Sequence, residues 1–154
     1  MNQNSLILFV LFLFYFVSQG TAANVLWEPY TQAQSASGKD NKPVFVELYA
    51  DWCMPCREMA QTTFQNPAVV KLLNTRFHPV KLDAESENSI VCGGLPKTVN
   101  RCFFDVWKLQ GIPSYVFIDK NGNVLLTLTD FFSAGDMKNL LLDVLDKEKS
   151  GLLE

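Results

Sequence analysis

The sequence predicts one α/β domain, a three-layer α/β/α sandwich with a central mixed sheet. Three observations point there. The run Val44–Tyr49 (VFVELY) is apolar and β-branched enough for a central strand buried on both faces. A second strand, Phe77–Leu82, follows it after helical stretches, so the two should be parallel. Ser114–Ile118 and Val124–Thr129 are strands joined across Asp119-Lys120-Asn121-Gly122, a strong hairpin signal, which adds an antiparallel edge.

The helices follow from their punctuation. Trp27–Ser37 reads as a short helix closed by Gly38. Cys53 to about Phe64 is a helix that starts at a cysteine pair. Asn66-Pro67 looks like an N-cap with proline at the first helical position, opening a helix to Leu73. Asp105–Gln110 is expected to be helical, ending at Gly111. A last helix begins at Ser133 and sets Met137, Leu140, Leu141, Val144 and Leu145 on one face.

The N-terminus differs in kind. From Leu6 to Val17 every residue is apolar or aromatic, and a polar, small-residue stretch follows. The run is short for a bilayer-spanning helix but suits the apolar core of a secretory signal peptide. Cleavage would use Thr21 and Ala23 or Gly20 and Ala22, although residues 1–5 carry no Lys or Arg. The chain therefore divides into a signal peptide, residues 1–23, and one domain, residues 24–154. An uncleaved anchor is the alternative, and it would be the only tie to a membrane. No cysteine lies directly after the apolar run, which argues against a lipoprotein.

Composition excludes some functions. With a formal net charge of −3 over 154 residues, there is no basic footprint for nucleic acid. A single histidine, His78, leaves no hydrolytic triad, and it takes no assigned role. Four cysteines (53, 56, 92 and 102) can pair in three ways, of which Cys53–Cys56 with Cys92–Cys102 is the simplest. A zinc site built from all four is disfavoured, since Cys92 and Cys102 lack close ligand spacing; neither a metal nor a cofactor is expected.

Chemistry centres on Ala50-Asp51-Trp52-Cys53-Met54-Pro55-Cys56. Free N–H groups and the dipole at a helix start favour an anion, so the Cys53 thiolate is stabilised there. Two intervening residues let Cys56 attack the mixed disulfide that forms once Cys53 has attacked a substrate. Cys53 is thus the expected exposed nucleophile and Cys56, one turn inside, the resolving thiol.

KPVFVELYADWC, the CMPC pair, Gly111-Ile112-Pro113 and the closing hairpin and helix together resemble the thioredoxin superfamily. The likeness covers nearly all of the chain beyond residue 23. KPVFVELYADWCMPCREM followed by TFQNPAVVKLL looks most like the exported thiol:disulfide interchange branch, which includes periplasmic thioredoxin-like reductases and the C-terminal domain of a membrane electron transporter. The resemblance implies that Pro113 is a cis-proline beside the cysteine pair. It would expose the Ile112 backbone to an incoming substrate strand. Trp52, Met54 and Pro55 would complete the docking surface. Glu47 stands six residues before Cys53, where the family usually carries a buried acid. Burial would raise its pKa and let it relay a proton to or from Cys56. Lys81 matches the lysine that often partners that acid.

The stretch from Asp83 to Pro113 is longer than a compact thioredoxin requires, and the excess holds Cys92 and Cys102. A disulfide closing this loop would stabilise by a little under ~3 kcal/mol in the chain-entropy model. Such a staple competes with two sharper alternatives, a second redox pair and a loop that recognises the partner.

Electron flow is indicated by the residues between the cysteines. Potentials run from about −270 mV for thioredoxin to about −120 mV for the oxidant DsbA. Strong oxidants of the superfamily carry histidine there, whereas Pro55 and Ile112 match reducing members. The expected function is an exported reductant of disulfide-containing proteins, itself kept reduced by a membrane electron donor. The alternatives are a disulfide oxidase or isomerase, and a non-enzymatic binding module or chaperone.

Overall fold

The computed structural model describes residues 24–152, so the proposed signal peptide lies outside the described residues. Strand β1 (Val44–Tyr49) holds the centre of the sheet that positions the cysteine pair. It pairs in parallel with β2 (His78–Asp83) on one side. On the other side β5 (Ser114–Ile118) runs antiparallel to it, and β6 (Val124–Thr129) closes that edge. The order β2-β1-β5-β6 is the mixed sheet expected from the sequence.

Because successive strand residues point to opposite faces, the run VFVELY serves both. Val44, Val46 and Leu48 pack with Tyr30 and Ala33 of helix α1 (Tyr30–Asp40). Phe45 turns the other way, into a cluster holding Met59, Val69, Leu73, Met137 and Leu141. Those residues come from α2 (Met54–Gln61), α3 (Pro67–Arg76) and α4 (Ala134–Lys149). The result is three layers.

Several expected boundaries move, each for a local reason. Trp27 precedes α1 and lies against Phe45 and Phe64, at centroid distances of 6.4 and 5.4 Å. The helix cannot start earlier, because the residue before Pro29 is disfavoured in helical conformation. It runs through Gly38 and stops at Asn41, whose left-handed φ of 62° supplies the C-terminal cap. The helix beginning at the cysteines ends at Gln61, and a 3-10 turn, Thr63–Gln65, carries the chain to Asn66. Asn66 accepts hydrogen bonds from the Ala68 and Val69 amides, as its cap role requires, and α3 extends to Arg76.

The segment 84–113 departs most. The expected helix Asp105–Gln110 is replaced by one α-turn, Val99–Arg101, running into a π-turn, Cys102–Val106. Before it stands a small hairpin, β3 (Ser89–Cys92) and β4 (Leu95–Thr98). Gly93 and Gly94 form its two-residue turn with φ of 58° and 77°, values that few side chains tolerate. Cys92 and Cys102 bond to each other, tying this hairpin to the start of the π-turn.

His78 has a structural place. Its ring nitrogens lie 3.0 Å from Glu28 and 3.1 Å from Asp40, joining the N-terminal segment and the end of α1 to β2. Slight burial pushes the Asp40 carboxyl up, but hydrogen bonds from His78 and Lys42 outweigh it and hold the pKa at about 2.

Candidate functional site

Strand β1 delivers the chain to a tight turn at Asp51-Trp52, and Cys53 then caps α2. Its Sγ accepts the Cys56 amide at 3.2 Å, so the sulfur sits where the helix start offers unpaired N–H groups. Pro55 costs nothing there, because an amide in the first turn has no intrahelical acceptor. Cys53 and Cys56 are bonded to each other, with Cα atoms 5.3 Å apart.

One expectation is corrected. Cys53 is not an exposed residue in this oxidised form: it is 2% exposed, as is Cys56. As the cap residue it folds its side chain back over the helix start. Its neighbours Trp52 and Met54 take the solvent-facing positions, 65% and 67% exposed. Met54 accepts a hydrogen bond from the Arg57 guanidinium, and Pro55 is exposed beside it.

The antiparallel register pairs Leu48 with Ser114, which brings Ile112 and Pro113 alongside the end of β1 and the cysteine turn. The Ile112–Pro113 peptide is cis. Among the described residues, neither the amide nor the carbonyl of Ile112 takes a hydrogen-bond partner. Ser114 holds the approach to this peptide by donating its hydroxyl to the Gly111 carbonyl; its Oγ also lies 2.6 Å from Thr129 Oγ1. Sequence reasoning missed Ser114 and Thr129, since a hydroxyl pair across β5 and β6 shows only once the strands are in register.

Glu47 lies on the same face of β1 as Phe45 and is fully buried. Among the described residues, neither of its carboxylate oxygens finds a hydrogen-bond partner. Burial pushes its pKa up to about 7, against the opposing pull of the Lys81 charge. Register places Lys81 opposite Glu47, with Nζ 3.5 Å from one carboxylate oxygen, an ion-pair distance without hydrogen-bond geometry. Lys81 also stands 4.4 Å from the Tyr49 ring centre. A small cavity of about 120 Å³, lined by Tyr49, Asp51, Cys56, Ala60 and Lys81 among others, opens between this lysine and the inner cysteine. No hydrogen bond joins Glu47 to Cys56 directly.

Residues 27–120 match the Thioredoxin-like family. The chain belongs to that family. This thioredoxin-like chain is similar to the disulfide bond reductase DsbH of Chlamydia pneumoniae, 31% identical over 105 residues, which are 68% of this chain and 62% of that protein. It is also similar to the thiol:disulfide interchange protein DsbD of Haemophilus ducreyi, 31% identical over 103 residues, 66% of this chain and 16% of that protein. It thus spans less than two thirds of either relative. Among solved structures, the C-terminal domain of Neisseria meningitidis DsbD superposes with a TM-score of 0.56 at 23% identity, covering 73% of this chain and 90% of that domain. That last likeness speaks for the fold.

Cys92 and Cys102, the second pair of this thioredoxin-like chain, are 3% and 0% exposed, inside the cluster on the α1 side of the sheet. They are bonded to each other and take no part in the Cys53–Cys56 bond. The segment they fasten contributes Asn100, Phe103 and Phe104 to a groove that also touches Trp52 and Ile112. The adjacent aromatics after Cys102 were the one sequence signal that could have marked this wall.

Proposed function

We propose that this chain is a thiol:disulfide oxidoreductase that reduces disulfides in exported proteins. The observation that carries it is the Cys53 sulfur at the start of α2, accepting the Cys56 amide beside an unpaired Ile112 backbone. In the reduced enzyme the Cys53 thiolate attacks one sulfur of a substrate disulfide. A mixed disulfide forms and the first substrate sulfur leaves as a thiolate, which takes a proton. Cys56 then loses its proton, attacks the Cys53 sulfur and releases the second substrate thiol. The substrate gains two electrons and two protons, and the enzyme is left with the Cys53–Cys56 bond seen here. Glu47 serves as proton acceptor for Cys56 by way of Lys81, which lies 3.5 Å from the carboxylate and lines the small cavity that also reaches Cys56. Trp52, Met54, Pro55 and Ile112 form the docking rim, and Pro113 presents the Ile112 backbone.

The reducing direction rests on the Met54-Pro55 dipeptide, which lacks a histidine to stabilise the thiolate. Residues 1–23 are an export signal in this scheme, and a membrane donor returns electrons to the pair. Among the described residues no helix is long and apolar enough to cross a membrane. The reduction potential of Cys53–Cys56, measured by equilibration with glutathione, is expected near about −270 mV. A value near about −120 mV would reverse the direction and make the chain an oxidant.

Cys92–Cys102 acts as a staple. A thiol attacking it would have to reach sulfurs inside the core, so it is expected to stay oxidised while Cys53–Cys56 cycles. Replacing both cysteines with serine should lower unfolding stability in urea by a little under ~3 kcal/mol. Exchange of both pairs in mass spectra of alkylated protein would instead place the second pair in the mechanism.

A further inference from the structure

The groove beside the cysteine pair has an occupant that its lining defines. Its volume is about 370 Å³, and it is lined by Trp52, Ile112, and Phe103 and Phe104 of the π-turn, with Glu85, Asn100 and Gln110 as its polar lining. Phe103 is buried and holds Phe104 edge-on at a centroid distance of 4.8 Å, leaving Phe104 52% exposed. Trp52 is more exposed still. Two large, exposed rings thus line one depression, a costly arrangement unless a partner covers them. The wall is also built to stay: Cys102, the first residue of the π-turn, is bonded to Cys92 in the core.

We propose that this groove is a specificity subsite for an aromatic or large aliphatic side chain of the substrate protein, on an extended segment close to the cysteine under attack. The inference rests on the disulfide-reductase function proposed above. The occupant is a protein segment because Ile112 also lines the groove, and among the described residues its amide and carbonyl are both without partners. An extended chain pairing there runs past Cys53, and a strand's alternating side chains would turn one of them into the depression between Trp52 and Phe104. Small thiols such as glutathione fill none of this volume. The segment 84–113 therefore selects substrates as well as bracing the fold.

The test uses pairs of peptide disulfides, identical except for Phe or Ser placed in turn at each of the three positions on either side of one cysteine. Reduction by the full domain, with Cys53 and Cys56 intact, is followed as kcat/KM. At one position at least, Phe should be preferred over Ser by about fivefold, the scale of one aromatic contact. Phe104→Ala should bring that ratio close to one, and Phe104→Leu should restore most of it. Leu142→Ala, which removes an exposed apolar residue of α4 outside the groove, should leave the ratio as in the wild type. No preference at any position, or a preference that survives in Phe104→Ala, would overturn the subsite. If the wild type fails to reduce even a small aromatic disulfide, the reductase function itself falls, and the subsite with it.

Discussion

Cys53→Ser is expected to abolish disulfide reduction, leaving only the rate of the buffer control. The thiolate is the attacking species, and only Cys53 holds the capping position; Cys56 already lies within the first turn of the helix. Cys56→Ser should behave differently. Attack by Cys53 proceeds, but the mixed disulfide has no resolving thiol, so one substrate equivalent per chain accumulates as a covalent adduct. Intact mass under non-reducing conditions reads both outcomes. A trapped adduct on Cys56 in the Cys53→Ser variant, with none on Cys53 in Cys56→Ser, would invert the two roles.

Glu47→Gln should alter both stability and exchange. The carboxyl ionises near its ordinary value when the chain is unfolded but only near about 7 when folded, since burial disfavours the charge. Its folded pKa is raised, so the stabilisation it allows is complete below about 4.5 and is lost as pH rises through about 7. The wild type should lose up to about 3 kcal/mol over that interval from this group. Glutamine cannot ionise, so the variant should lack this loss and be the more stable protein at pH 8. Single-turnover decay of the mixed disulfide gives the second measure. In the wild type it should accelerate with an inflection near pH 7, as the carboxylate becomes able to take the Cys56 proton. In Glu47→Gln it should be slower and lack that inflection. Equal decay rates in the two proteins would leave Glu47 with its burial cost and no part in proton transfer.

Much of the scaffold was legible because its signals are local. The apolar, β-branched run VFVELY, the caps at Asn66 and Ser133, and the Asp119–Gly122 turn each depend on neighbouring residues, and each element formed where expected. The cysteine pair was legible for the same reason, a three-residue spacing between a strand and a helix. Segment 84–113 resisted because its order comes from contacts across the chain. Four-residue strands and a π-turn carry little periodicity, and the bond between Cys92 and Cys102 fixes them from the side.

The sequence by itself determined the chemistry: two thiols at a helix start, an acid in the strand behind them, and a proline before the returning strand. Tertiary structure decided what those groups meet. Glu47 and Lys81 are 34 positions apart and face each other only through the parallel register of β1 and β2. Trp52, Phe104 and Ile112 share a groove only because the inserted segment folds back beside the cysteine turn. Cys53, which caps its helix, is covered in the folded chain although its neighbours Trp52 and Met54 are exposed. Residue type and spacing set what a group can do, whereas burial, charge partners and access depend on chain segments that local sequence does not bring together.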